Sequence, residues 1–374
     1  MKFIVSSTGL LSHLQSISRV INSKNALSIL DNFLFQIEGN KLTITASDIE
    51  TTLITSMEIE NKAGNGSVAV ASKILLDSLK DFPEQPLTFD INDDNLSMVI
   101  TSEYGKYNFI GQSGDEYPQL PEMAADSSGI TISVSTLLRG INNTLYATAN
   151  DELRPVMNGI YFDITADDLT LAASDAHKLV RFKTTEAKGD GASNFILPKK
   201  PATMLKNILP KESGDVQVQF DDKNACFTLS NYKMVCRQVE GRYPNYNAVI
   251  PKANQHKAIV DRLAFINALK RVSVFSNQAV NLIKLQLSEN EIFISAQDID
   301  FSISAEEKVA CQYQSEQINI GFKSTFLIEI LSNLESSDVV IELADAMRAG
   351  IFLPFENEEN EDLLTLLMPI MLND

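Results

Sequence analysis

Ser174-Asp175-Ala176-His177 places a hydroxyl, a carboxylate and an imidazole within four residues. Those are the residue types of a nucleophilic hydrolase. A working triad needs a base oriented from a separate element and donors for an oxyanion, not three near neighbours on one stretch. On a strand, Ser174 and Ala176 would face one way, and Asp175 and His177 the other. The aspartate recurs in Ala46-Ser47-Asp48-Ile49-Glu50 and Ala296-Gln297-Asp298-Ile299-Asp300, but the histidine does not. The aspartate therefore reads as a turn former. His13, His177 and His256 are far apart in the chain, and Cys226 and Cys236 supply two soft ligands where zinc takes four. The sequence holds no G-x-x-x-x-G-K-[ST] loop for a nucleotide phosphate. No catalytic residue, metal or cofactor is expected.

The recurrence of the aspartate is one landmark of a longer pattern. Asp48, Asp175 and Asp298 are spaced by 127 and 123 residues, and Lys73, Lys200 and Lys323 repeat both offsets. Asn150 and Asn277 lie 127 apart, each just after an apolar helical pattern. A repeat of about 125 residues is far longer than a solenoid unit and is the size of a domain with its own core. Domains are expected at 1–122, 129–251 and 252–374, with joints at Pro118-Gln119-Leu120-Pro121 and Pro251-Lys252-Ala253-Asn254.

Each unit reads alike. An amphipathic helix opens it: Leu10, Leu11, Leu14, Ile17, Val20, Ile21; then Leu137, Leu138, Ile141, Leu145; then Leu263, Phe265, Ile266, Leu269, Val272. Alternating strands follow, as in Phe33–Ile37 and Lys41–Thr45 around Glu38-Gly39-Asn40. A second helix lies mid-unit, through Ile74, Leu75 and Leu79, through Met204, Leu205, Ile208 and Leu209, and through Leu327, Ile330, Leu331 and Leu334. More strands close the unit. The fold class is α+β: three tandem similar domains, each with two helices packed on antiparallel sheet.

The 374 residues are 44% hydrophobic and 21% charged, ordinary for globular domains. No apolar run could span a bilayer, the N-terminus lacks the apolar core of a secretory signal, and three cysteines cannot make a disulfide framework. A cytoplasmic protein with reduced thiols and no membrane partner is expected. The net charge of −18 argues by itself against nucleic acid. Its distribution argues the other way. The six helical segments together carry +8, leaving −26 for the rest of the chain. Charge sorted in this way suits one face that meets a polyanion and others that repel it.

Repeat, charge sorting and motifs together resemble the bacterial DNA polymerase III β-subunit family, the sliding clamps, over the whole chain. The marks are the N-terminal Met1-Lys2-Phe3, Leu27-Ser28-Ile29-Leu30, Asn158-Gly159, Ala173-Ser174-Asp175-Ala176-His177-Lys178-Leu179, Glu240-Gly241-Arg242-Tyr243-Pro244-Asn245-Tyr246, Ile320-Gly321-Phe322 and Met368-Pro369-Ile370. The resemblance implies a non-catalytic processivity factor, a head-to-tail homodimer ring of six domains around double-stranded DNA. Its implied partners are the clamp loader, the polymerase III catalytic subunit, and other polymerases, ligase and mismatch-repair proteins that carry a short clamp-binding peptide. Geometry agrees: six touching domains of about 35 Å diameter enclose a hole about 35 Å wide. B-DNA is roughly 20 Å across. Three such domains cannot surround it.

By the same resemblance, Lys24 stands for a family Arg and Asn150 for a family Gln at the DNA, with Lys73, Lys199 and Lys200 at helix starts facing the hole. The implied peptide groove takes Arg154, Met157, Ser174, Ala176, His177, Lys178, Leu179, Pro244 and Val249, and the tail Leu366, Leu367, Met368, Pro369, Ile370, Met371 and Leu372. Lys323, Phe326 and Met347 would line the adjoining part. Ala248 stands where the family often has Arg, and Ala176 where Gly is usual. The dimer contact would bring Tyr107 and Phe109 of one chain against Val274 and Phe275 of the other. Two further readings are a monomeric three-domain protein scaffold and a hydrolase built on Asp175 and His177.

Overall fold

The computed structural model describes residues 1–22, 24–119, 121, 123–124 and 126–372. Leu120, in the first expected joint, lies outside them. The elements follow one order three times, with β5 and β10 as additions in the first pass. The first pass is β1 (Lys2–Ser6), α1 (Ser7–Ile17), β2 (Asn32–Glu38), β3 (Lys41–Ser47), β4 (Thr51–Glu58), β5 (Glu60–Ala63), β6 (Gly66–Ala71), α2 (Ser72–Leu79), β7 (Pro86–Ile91), β8 (Ser97–Thr101), β9 (Lys106–Ile110) and β10 (Gln112–Ser113). The second is β11 (Ser128–Ser133), α3 (Val134–Leu145), β12 (Gly159–Ile164), β13 (Leu169–Ser174), β14 (Lys178–Thr184), β15 (Ser193–Pro198), α4 (Lys199–Ile208), β16 (Asp215–Phe220), β17 (Asn224–Thr228) and β18 (Tyr232–Arg237). The third is β19 (His256–Asp261), α5 (Arg262–Ser273), β20 (Leu282–Ser288), β21 (Glu291–Asp298), β22 (Ile303–Gln312), β23 (Ile318–Lys323), α6 (Ser324–Asn333), β24 (Asp338–Leu343), β25 (Gly350–Pro354) and β26 (Glu361–Leu367).

Side-chain caps start the opening helices. The Ser6 hydroxyl accepts from the Gly9 amide at 3.0 Å, and Asp261 Oδ1 accepts from the Ala264 amide at 2.6 Å. Each helix buries its apolar stripe: Leu10, Leu14 and Ile17 on α1, Leu137 and Ile141 on α3, Phe265, Ile266 and Leu269 on α5. A buried side chain of this size is worth roughly 1.5–3 kcal/mol. The first helix is shorter than the apolar periodicity suggested, and Val20 lies in a 3-10 turn after it. The Ser16 and Ser18 hydroxyls donate to the carbonyls of Ser12 and Gln15, a competing use of the backbone that weakens helix. Leu209 likewise falls in a 3-10 turn, because Pro210 has no amide to continue α4.

The chain forms two compact units, Met1–Leu138 with Lys200–Gln238, and Arg139–Lys199 with Val239–Asp374. The first unit has a five-stranded sheet, β5-β1-β7-β8-β9, and a nine-stranded sheet, β10-β6-β2-β3-β4-β18-β17-β16-β11. The second has a twelve-stranded sheet, β15-β12-β13-β14-β26-β25-β24-β19-β22-β21-β20-β23. All pairings are antiparallel. In the first unit, β4 of repeat one pairs with β18, the last long strand of repeat two. In the second, β14 of repeat two pairs with β26, the last strand of repeat three. The same hand-over thus occurs at both joins between successive repeats. The corresponding strand of repeat three is β22. It pairs with β21 along its length and meets β19 only at Cys311 and Gln312.

Candidate functional site

The recurring aspartates each accept from amides of the turn that follows them; Asp48 and Asp175 open the same three-residue turn, while Asp298 ends β21 before a four-residue one. Asp175 Oδ1 accepts from the amides of His177 and Lys178, both at 2.9 Å. Asp48 Oδ1 accepts from the Thr51 amide at 2.7 Å, and Asp298 Oδ1 from the Asp300 amide at 3.0 Å. Ser174 is the last strand residue, and Asp175–His177 leave the strand, so the alternating orientation expected for this stretch does not apply. The Ser174 hydroxyl donates to the Lys178 carbonyl at 2.9 Å and accepts from the Ala176 amide at 3.2 Å. It serves the turn, while the His177 ring lies 5.7 Å from the Phe326 ring. Ala176 holds φ +76°, in the left-handed region that favours glycine.

Around this turn, in the second unit, lie several of the expected groove residues: Lys178, Lys323, Phe326 and Met368. Lys178 is only 5% exposed and pairs with Asp175 and Glu329, both at 2.9 Å. Its Nζ lies 4.4 Å from the centre of the Phe326 ring, and Lys323 Nζ lies 4.6 Å from it. Lys178 is thus a buried strut for the turn and α6, not a free groove cation. Arg154 pairs with Asp151 at 2.7 Å, and the carboxyl of Asp151 is held below its ordinary value by that contact. Val249, Met347 and Pro244 are exposed and Met157 is buried.

The expected tail divides at residue 367. Leu366 (2% exposed) and Leu367 (0%) belong to β26, between β14 and β25, and Leu366 faces Leu179 across the ladder. Leu179, Leu364 and Leu366 pack with Tyr243, Tyr246 and Ile351. These leucines are core: Leu366 points to the face covered by Tyr243 and Tyr246, and Leu367 to the opposite face, where α6 contacts β26. The sequence marked the 240–250 segment without giving a reason for it. Tyr243 stacks on Tyr161 with ring centres 4.7 Å apart, and the Tyr246 hydroxyl donates to Asp163 at 2.8 Å. Burial pushes both phenols well above their ordinary range.

Beyond Leu367 the chain leaves the sheet. The Met368 amide donates to the His177 carbonyl and the Ile370 amide to the Gly321 carbonyl, both at 2.8 Å. A Cβ on Gly321 would lie 2.7 Å from the Ile370 carbonyl oxygen, so glycine is what lets the tail dock. Met368 and Met371 remain exposed. Exposed methionines such as Met368, bonded to this polar turn, can accept apolar side chains of varied shape.

The basic residues are more often occupied than their count implied. Arg139 makes a bidentate contact with Glu361, Arg271 with Glu307, and Arg262 donates to the carbonyls of Ser336 and Leu331. Lys211 donates to Ser16 at 2.9 Å. Lys200 Nζ donates to the Val20 carbonyl at 3.1 Å, to Asn22 Oδ1 at 2.6 Å and to Asp48 Oδ2. Lys199 Nζ meets the Asn150 side-chain oxygen at 3.1 Å, so two expected DNA residues are neighbours. Lys24 and Lys73 are exposed and form no ion pair among the described residues.

Two of the expected interface residues lie on a strand edge and two at a helix end. Tyr107 and Phe109 are on β9, which among the described residues pairs with β8 alone. Tyr107 is exposed and meets Phe82 edge-on at 5.2 Å. Val274 and Phe275 are exposed at the end of α5, which packs on β22. Exposed Ile299, Phe301 and Ile303 continue the apolar surface along the start of β22, as Tyr104 and Ile110 do around β9. Sequence reasoning missed these five, since alternation alone cannot tell an outer edge from an inner one.

Three family models match in order: DNA polymerase III beta subunit, N-terminal domain, over residues 1–121; central domain, over 131–245; and C-terminal domain, over 247–371. A beta sliding clamp of Haemophilus influenzae is 27% identical over 376 residues, covering 100% of each chain. One of Synechococcus elongatus is 28% identical over 383 residues with the same coverage. A solved sliding clamp (DNA polymerase III subunit beta) of Bartonella birtlesii bound to griselimycin superposes with TM-score 0.92 at 28% identity, covering 100% of both chains. A Pseudomonas aeruginosa clamp bound to griselimycin gives 0.94 at 24% identity, also over 100% of both.

Proposed function

The chain belongs to the DNA polymerase III beta subunit family, and from that premise we propose that two copies close head to tail into a ring that encircles duplex DNA. It is a sliding clamp, a non-catalytic processivity factor built of three tandem clamp domains, with expected bounds of 1–122, 129–251 and 252–374.

The observation that carries the ring is the strand hand-over. Repeat one passes β4 to β18, and repeat two passes β14 to β26. Repeat three ends the series with the outer edge of β22, and repeat one begins it with the outer edge of β9. A second copy supplies the missing partner at each end, and two identical contacts close the series. Strand edges left unpaired invite such pairing. Tyr107 and Phe109 then meet Val274 and Phe275, with Phe301 and Ile303 alongside.

Within the ring, Lys24, Lys73, Lys199 and Asn150 face the phosphates, without sequence preference and mainly through charge. The turn at Ser174–Lys178, Arg154, Met157, Val249, Phe326, Met347 and the tail from Met368 to Leu372 form the partner groove. Its occupants are short peptides of the clamp loader, the polymerase III catalytic subunit, other polymerases, ligase and mismatch-repair proteins. The compartment is the cytoplasm. The test is primed-template synthesis by polymerase III with loader. Product length should rise by an order of magnitude or more when the protein is added; unchanged product length would overturn the assignment.

A further inference from the structure

A lysine ammonium has three donors and no acceptor. In Lys200 all three are used: by the Val20 carbonyl, by Asn22 Oδ1 and by Asp48 Oδ2. The Asn22 side-chain amide also reaches Asp48 Oδ2, at 3.4 Å. Asp48 is itself fixed, because its other carboxylate oxygen accepts from the Thr51 amide at 2.7 Å. These bonds grip the chain at Val20 and Asn22, on the N-terminal side of Lys24. The C-terminal side is held by Asn25, whose amide nitrogen donates to Asp31 Oδ1 at 2.7 Å and to the Asn22 carbonyl at 3.2 Å. The corresponding lysines differ: Lys73 is exposed and without an ion pair among the described residues, and Lys323 lies over Phe326.

We propose that Lys200 and Asp48 are positioning residues for DNA: their ion pair holds the Val20–Asn25 segment so that Lys24 meets the phosphates, while Lys200 itself touches none. This rests on the reading of Lys24 as a DNA contact. It corrects the expectation that Lys200 binds DNA directly. A chain segment outside long helices and strands has many conformations unless side chains hold it. Fixing it beforehand removes an ordering cost that would otherwise be charged to each DNA encounter.

The charge signs make the idea testable. Asp48→Asn removes a negative charge, so charge counting alone says that DNA should bind more tightly. Asn keeps the Oδ1 acceptor that the turn uses but offers Lys200 an amide nitrogen in place of Oδ2. The positioning role therefore predicts weaker binding. Affinity for a duplex oligonucleotide is measured against KCl concentration for the full-length wild type, Lys24→Ala, Asp48→Asn, Lys200→Met, and the latter two each combined with Lys24→Ala. Lys24→Ala should lower the slope of log K against log [KCl] by about 1. Asp48→Asn and Lys200→Met should each lower affinity and slope in the same direction, and neither should lower them further in the Lys24→Ala background. Tighter or unchanged binding by Asp48→Asn, with Lys24→Ala still weakened, would overturn the positioning role and leave Lys24 at the DNA. An added loss from Lys200→Met in the Lys24→Ala background would show that Lys200 meets phosphate itself. If Lys24→Ala has no effect, the DNA reading of this segment fails, and the positioning role with it.

Discussion

The amide of Met368 donates to the carbonyl of His177 at 2.8 Å, and the amide of Arg237 makes the same 2.8 Å bond to the carbonyl of Glu50. His177 and Glu50 are both the second residue after a turn aspartate. One backbone contact thus marks both strand hand-overs. In repeat two the chain continues from it into the 240–250 segment; in repeat three it continues into the exposed tail.

That tail is separable from the core. Deleting Met368 to Leu372 leaves β26 paired on both sides, so the melting temperature should change by no more than a few degrees. Binding of a peptide with a Gln and two spaced apolar residues should be lost in calorimetry. Gly321→Ala, which forces Ile370 outward, should weaken the same peptide by about tenfold, or roughly 1.4 kcal/mol. Undiminished binding to the truncated protein would place the groove elsewhere.

Two residues of the expected tail, Leu366 and Met371, behave differently. Leu366→Ala opens a cavity in a packed sheet and should cost about 2–5 kcal/mol in chemical denaturation. Met371→Ala, at an exposed position, should stay within about 0.5 kcal/mol. Equal costs at both positions would contradict the division at residue 367.

Replacing Val274 and Phe275 together by Ala should turn dimers into monomers in sedimentation equilibrium, since apolar anchors at an interface commonly contribute on the order of 2 kcal/mol each. A double variant that still sediments as a dimer would exclude these residues from the contact.

His13 gives the stability a pH dependence. Thr55 donates its one hydroxyl proton to the Asn231 carbonyl at 3.0 Å, so the 2.6 Å contact from His13 Nδ1 is a donation from the ring. Burial first, and then the charge of Lys211, hold the imidazole below its ordinary value of 6.5. The unfolded chain therefore binds the proton more readily. The contribution is present above pH 6.5 and is lost as the pH falls through the lowered value. His13→Gln should flatten the fall in melting temperature as the pH drops below 6.5; an unchanged profile would assign that fall to other groups.

Much of this fold was legible in the chain because its signals are periodic or repeated. Asp48, Asp175 and Asp298 announced the threefold order, and the apolar stripes of α1, α3 and α5 announced the helices. What the sequence did not carry was pairing between distant elements. Nothing in Leu366 distinguishes a groove wall from a strand held between β14 and β25. The charges of Arg139, Lys200 and Arg271 looked free because their partners, Glu361, Asp48 and Glu307, are 36 to 222 residues away. Gly321 was noted as part of a motif, but its reason, the docked Ile370, appears only in three dimensions.

The ring is tested most directly by topology. Labelled protein is loaded by the clamp loader onto a nicked circular plasmid, freed of excess protein, and split into two samples, one of which is cut once with a restriction enzyme. The account predicts that the protein stays with the closed circles and is lost from the linear molecules over their open ends. Equal retention on both would contradict encirclement.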